Sequence, residues 1–181
     1  MPHPQAARGA IIVMGVSGAG KTTLAALLAE ALGCPFIEGD ALHSAANVAK
    51  MAAGQPLTDA DRWPWLDNVA AALRDAIATH RVATAACSAL RQVYRDRLRT
   101  TIGQPTFFIL LEAQRAELEQ RLAQRSGHYM PATLLDSQLA TLEPPHDASH
   151  TLVLDARLSP TQLREAAIQW LTASTHTTSG G

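Results

Sequence analysis

The stretch Gly15-Val16-Ser17-Gly18-Ala19-Gly20-Lys21-Thr22 constrains this chain more than any other. It reads G-x-x-x-x-G-K-[ST], a loop whose glycines let successive backbone N–H groups turn inward onto phosphate oxygens. Such a loop needs a strand before it and a helix after it, because the helix N-terminus adds partial positive charge. Both flanks are present. Ala10-Ile11-Ile12-Val13-Met14 is the apolar, β-branched run of a buried parallel strand. Residues 23–32 are strong helix formers, and Gly33 supplies the C-cap. Lys21 is then set to reach the β- and γ-phosphates, and the Thr22 hydroxyl to ligate Mg²⁺. Residues 15–22 therefore read as a nucleoside-triphosphate site.

The rest of the chain alternates strands with helices. Strands are expected at 34–38, 81–86, 106–111 and 151–154. Helices are expected at 45–53, 59–79, 89–100, 114–125, 132–142 and 160–172. Thr58 is a plausible N-cap for the long helix, with Asp59 and Asp61 in its first turn and Pro64 near enough to its start to be tolerated. This order predicts an α/β fold of three layers, a five-stranded parallel sheet covered by helices on both faces. Ligands then belong at the carboxyl ends of the strands, where the phosphate loop already lies. With 181 residues a single domain is expected, with a core over about 10–174 and frayed ends at 1–9 and 175–181.

Composition excludes several partners. A formal net charge of −1 leaves no basic excess for nucleic acid, and residues 11–16 are too short an apolar run to span a membrane. The first ten residues lack a leader's long apolar region, and Cys34 and Cys87 lack metal-ligand spacing; a cytoplasmic location is expected. No Asn-Lys-x-Asp guanine motif occurs, and the strand 81–86 ends in Cys87-Ser88 where a motor ATPase would carry an acid. The acid in the right neighbourhood is Asp40, after the second strand. Such a carboxylate suits a small-molecule kinase, where it accepts the attacking hydroxyl's proton, although a turn residue after Gly39 reads the same way.

Further residues carry a resemblance. Gly39-Asp40-Ala41-Leu42-His43, Asn47, Lys50-Met51 and the run from Gly54 to Leu66 resemble the gluconokinase signature. So do Cys87-Ser88-Ala89-Leu90-Arg91, Tyr94-Arg95-Asp96, Arg125-Ser126-Gly127-His128-Tyr129-Met130, Leu134-Leu135, Ser137-Gln138 and Leu142-Glu143-Pro144-Pro145. The resemblance runs from about Ile11 to Trp170. It implies ATP-dependent phosphorylation of D-gluconate to 6-phosphogluconate on an adenylate-kinase-like fold with a small helical lid, here at about 121–142, often as a homodimer. The chain departs from the family at Ser44, commonly Pro, at Leu139, usually Phe, and at Arg91, commonly Lys.

By position and resemblance, Asp40 is the base or hydroxyl-orienting group, and His43 either bonds substrate hydroxyls or is a partly buried histidine bonded to backbone. Lys50 is either a substrate contact or a solvated helix lysine. A substrate carboxylate needs a cation beyond those serving ATP. Arg91 and Arg95 lie four apart on one helix, so they either bind that carboxylate or form an exposed basic face with Arg99. Ser88 either bonds the substrate or ends its strand. Arg121 and Arg125, before Ser126-Gly127, resemble lid arginines that close over ATP and stabilise transferring charge; otherwise they pair with Glu117 and Glu119. His128 is a lid residue of unassigned role. Trp63 and Trp65 are read as packing anchors. Another acceptor, such as shikimate or a different aldonate, and a nucleotide-binding regulator without catalysis are the rival readings.

Overall fold

β1 (Gly9–Met14) is buried along its whole length. The computed structural model describes residues 8–125 and 131–177; the remaining expected frayed residues, 1–7 and 178–181, and residues 126–130 with His128, lie outside them. β1 pairs in parallel with β3 (Val82–Ala86) on one side and β4 (Thr106–Glu112) on the other. β2 (Phe36–Glu38) continues the sheet beyond β3, and β5 (Thr151–Asp155) beyond β4, giving the order β2-β3-β1-β4-β5. All four pairings are parallel. The expected α/β architecture is thus observed.

Both faces of β1 are covered, which is why its sequence is continuously apolar rather than alternating. Ala10, Ile12 and Met14 pack with α3 (Asp59–His80) and α4 (Gln92–Ile102), through Leu66, Leu73, Ile77 and Leu98. Ile11 and Val13 pack on the opposite face with α1 (Lys21–Leu32) and α7 (Pro160–Thr177), through Leu24, Leu28, Leu163 and Leu171. α2 (Ala45–Ala52) follows β2, and α5 (Arg115–Gln124) and α6 (Ala132–Thr141) follow β4 before β5. No described helix is long and apolar enough to cross a membrane.

Local chemistry sets the boundaries. Thr58 and Asp61 form a reciprocal capping box: Thr58 Oγ1 accepts the Asp61 N–H at 3.2 Å, and Asp61 Oδ2 accepts the Thr58 N–H at 2.8 Å. Ser44, the departure from the family's usual proline, caps α2 by accepting the Asn47 N–H at 3.1 Å. α4 starts at Gln92, not at the expected residue 89. Ala89 is left-handed at φ 42°, and the buried Arg95 takes the Ala89 and Leu90 carbonyls, so residues 88–91 form a loop instead of a first turn. α7 continues through the expected frayed positions 175–177.

Candidate active site

β1 and its neighbours end at one edge, and β1 stands where the strand order reverses, the place where open parallel sheets bind ligands. The phosphate loop leaves β1 there. At Gly15, φ is 142° and a side chain would come within 2.9 Å of the Leu111 carbonyl, so only glycine lets the loop start. Lys21 opens α1 and donates from Nζ to the Val16 carbonyl at 3.1 Å, lying back across the loop. Burial pushes its ammonium below the usual lysine range, while Asp40 and Glu38 oppose that shift.

Glu38, at the end of β2, ties this loop to the next segment. Its Oε2 accepts the Thr22 hydroxyl at 2.5 Å, and its Oε1 accepts the Asp40 N–H at 3.3 Å. A Cβ at Gly39 would meet the Ala86 carbonyl at 2.4 Å, so glycine allows β2 to pass β3 and turn into the 3₁₀ segment Gly39–Leu42 that carries Asp40. Trp65 braces that turn at both ends. Its Nε1 donates to the Gly39 carbonyl at 2.8 Å, and its ring stacks on His43 at 4.1 Å between centroids.

His43 Nδ1 lies 3.3 Å from Asn47 Nδ2. The amide nitrogen only donates, so Nδ1 accepts and the imidazole proton sits on Nε2. Asn47 is itself buried and donates to the Asp61 carbonyl at 3.0 Å, which fixes the direction of the amide. Burial lowers the His43 pKa, Asp40 raises it and Arg62 lowers it. A base with a lowered folded pKa favours the neutral form. Its stabilisation is complete above the unfolded pKa and is lost as pH falls through the folded one. An NMR titration of the His43 ring should therefore give a midpoint below 6.5, the ordinary value; one at or above 6.5 would contradict this neutral, Nε2-protonated ring.

A cleft of about 440 Å³ joins these groups, bordered among others by Ser17, Lys21, Asp40, His43, Arg62 and Arg125. Ser88 also lines it. Arg62 was not singled out by sequence; the signal was its i, i+3 spacing from Trp65 at the start of α3, which puts both on the cleft side. Its Nη1 donates to Tyr94 Oη at 2.8 Å, and Tyr94 in turn makes a short hydrogen bond to Asp59.

Of the expected phosphate-loop residues only Ser17 and Lys21 line the cleft, and Lys50, Arg91, Arg95 and Arg121 do not. Lys50 is drawn to Asp61 at 2.6 Å, and Arg91 to Asp59 and Glu143 at 2.6 and 3.1 Å. Arg95 is only 1% exposed, so the spacing that put it beside Arg91 puts it inward and not on a shared basic face. It donates to the carbonyls of Ala89, Leu90 and Glu143. Arg121 braces the outside of the phosphate loop, donating to Ala19 at 3.1 Å and Ala156 at 2.5 Å while paired with Glu117.

Residues 11–145 match a family model described as an AAA domain. The chain is 48% identical over 159 residues to a gluconokinase of Gluconobacter oxydans, covering 88% of this chain and 89% of that one. It is 43% identical to the thermoresistant gluconokinase of Escherichia coli, covering 80% and 82%. A crystal structure of a gluconokinase from Sinorhizobium meliloti is 42% identical and superposes with a TM-score of 0.80 over 92% of this chain and 93% of that one.

Proposed function

The chain belongs to the gluconokinase family, and from that premise we propose how its cleft phosphorylates D-gluconate with ATP. The observation that carries the reading is that Lys21, Asp40, His43, Arg62 and Arg125 border one cleft beside the phosphate loop. Loop N–H groups from residues 15–22 cradle the phosphates, and Lys21 swings from the Val16 carbonyl onto them. Thr22 and Glu38 offer hard oxygen donors, the kind Mg²⁺ takes alongside phosphates and water, so the pair fits that ion. When bound there, Mg²⁺ neutralises phosphate charge.

Asp40 receives the proton of the attacking 6-hydroxyl, and His43 Nε2–H donates to a neighbouring substrate hydroxyl. Arg62 takes the substrate carboxylate, in preference to the internally committed Arg91 and Arg95. Its Nη1 is shared between Tyr94 Oη and Asp59, the latter at 3.8 Å, and because Arg62 borders the cleft its other guanidinium N–H groups can serve a carboxylate there. Arg125 stabilises charge on the transferring phosphoryl group.

The test is a coupled assay with Mg²⁺ and ATP against D-gluconate, another aldonate, shikimate and D-glucitol, a polyol without a carboxylate. Gluconate-dependent release of ADP with 6-phosphogluconate as product is expected, with little turnover of glucitol. In Arg62→Ala the gluconate KM should rise about 10- to 100-fold, the worth of one charged hydrogen bond, with the ATP KM nearly unchanged. Preference for another acceptor would sink the substrate assignment, and an unchanged gluconate KM would move the carboxylate site elsewhere.

A further inference from the structure

Gln138 stands on α6 and takes no part in the chemistry above. Its amide makes two contacts with one residue of the phosphate loop. Oε1 accepts the Ser17 backbone N–H at 2.8 Å, and Nε2 donates to Ser17 Oγ at 3.2 Å. Backbone N–H groups of this loop are its anion-binding groups, so the amide lies at the rim of the phosphate cradle. Ser17 and Gln138 border the same cleft as Asp40, which faces the acceptor, and the γ-phosphate is the phosphate nearest that side.

The choice of an amide has a physical reason. It can both accept from the N–H and donate to the hydroxyl oxygen while bringing no net charge. A glutamate of the same length could accept from both the Ser17 N–H and the Ser17 O–H, so the tie would survive. It would, however, set a negative charge against the triphosphate. Leu134 and Leu135, one turn before Gln138 on the same face of α6, are buried in the protein, so the amide is carried on a packed helix rather than a free loop.

We infer that Gln138 is a positioning residue for phosphoryl transfer, holding the Ser17 limb of the phosphate loop from α6 at the terminal phosphate. The inference rests on the ATP-kinase reading. It makes the docking of α6 part of the nucleotide site, although α6 follows the loop by more than a hundred residues.

Two variants test it, with calorimetric titration of a non-hydrolysable ATP analogue and of ADP, and with steady-state kinetics. Gln138→Glu should melt like the wild type yet bind the analogue about tenfold or more weakly, with ADP affected less, because the added charge faces the terminal phosphate. Gln138→Ala should lower kcat about tenfold while leaving the gluconate KM near that of the wild type. Wild-type analogue affinity in Gln138→Glu would overturn the inference, as would equal weakening of ADP and analogue. So would a wild-type kcat in folded Gln138→Ala; if that variant does not fold, the glutamate arm decides. Nucleotide titration needs no acceptor. Failure of the wild type to turn over gluconate would therefore strike the substrate reading and leave this test intact.

Discussion

Asp40→Asn is expected to lower kcat by about 10²- to 10⁴-fold, the range for loss of a positioned general base. The substitution is close to isosteric and leaves the local fold alone. Asp40 holds its turn through its backbone N–H, which donates to Glu38, and Asn keeps that group. What disappears is the carboxylate that receives the hydroxyl proton. The ATP affinity should stay within a few-fold of the wild type, because the loop holds phosphate chiefly through its own backbone N–H groups and Lys21. A second readout follows from electrostatics. Asp40 raises the pKa of His43, so removing its charge should lower the His43 titration midpoint further. Near-normal turnover in Asp40→Asn would remove the base from the mechanism.

Arg95→Ala should cost about 3 kcal/mol or more of folding stability, because a hydrogen bond to a charged group is worth about 1.5–3 kcal/mol and several are lost together. The guanidinium closes the loop before α4 and ties it to the segment entering Pro144, by donating to the carbonyls of Ala89, Leu90 and Glu143. Without it, those acceptors lose a charged donor at a place where water enters poorly. Desolvation pushes the Arg95 pKa down, and Glu143 opposes it. Lysine cannot substitute, since a single ammonium has no planar fork to serve separated carbonyls. Urea unfolding at 25 °C gives the measurement: the midpoint should fall with the slope unchanged. An unchanged midpoint together with a raised gluconate KM would return Arg95 to the substrate site.

These two cases divide along the line between local and tertiary information. Residues 15–22 announce a phosphate loop because the function is performed by the backbone of one contiguous segment, and its glycines are needed wherever that segment occurs. The alternation of strands and helices likewise predicted the parallel sheet, and the cap at Thr58 appeared as expected. Asp40 was legible because the end of a strand next to such a loop can point in few directions. Arg91 and Arg95 were not legible in this way. Spacing of four residues puts Arg91 and Arg95 on one side of a helix, but it does not say whether that side meets substrate, solvent or another segment.

The sequence by itself determined the phosphate loop, the alternation of strands and helices and the family, each written in contiguous residues or in local periodicity. Only the tertiary structure decided which side chains share the cleft. It turned Arg95 inward onto three carbonyls, spent Arg91 on Asp59 and Glu143, and brought Arg62, Glu38 and Gln138 to the site from separate elements. The reason is physical: a long charged side chain goes to whichever partner the packed chain brings within its reach, and those partners lie tens of residues away in sequence.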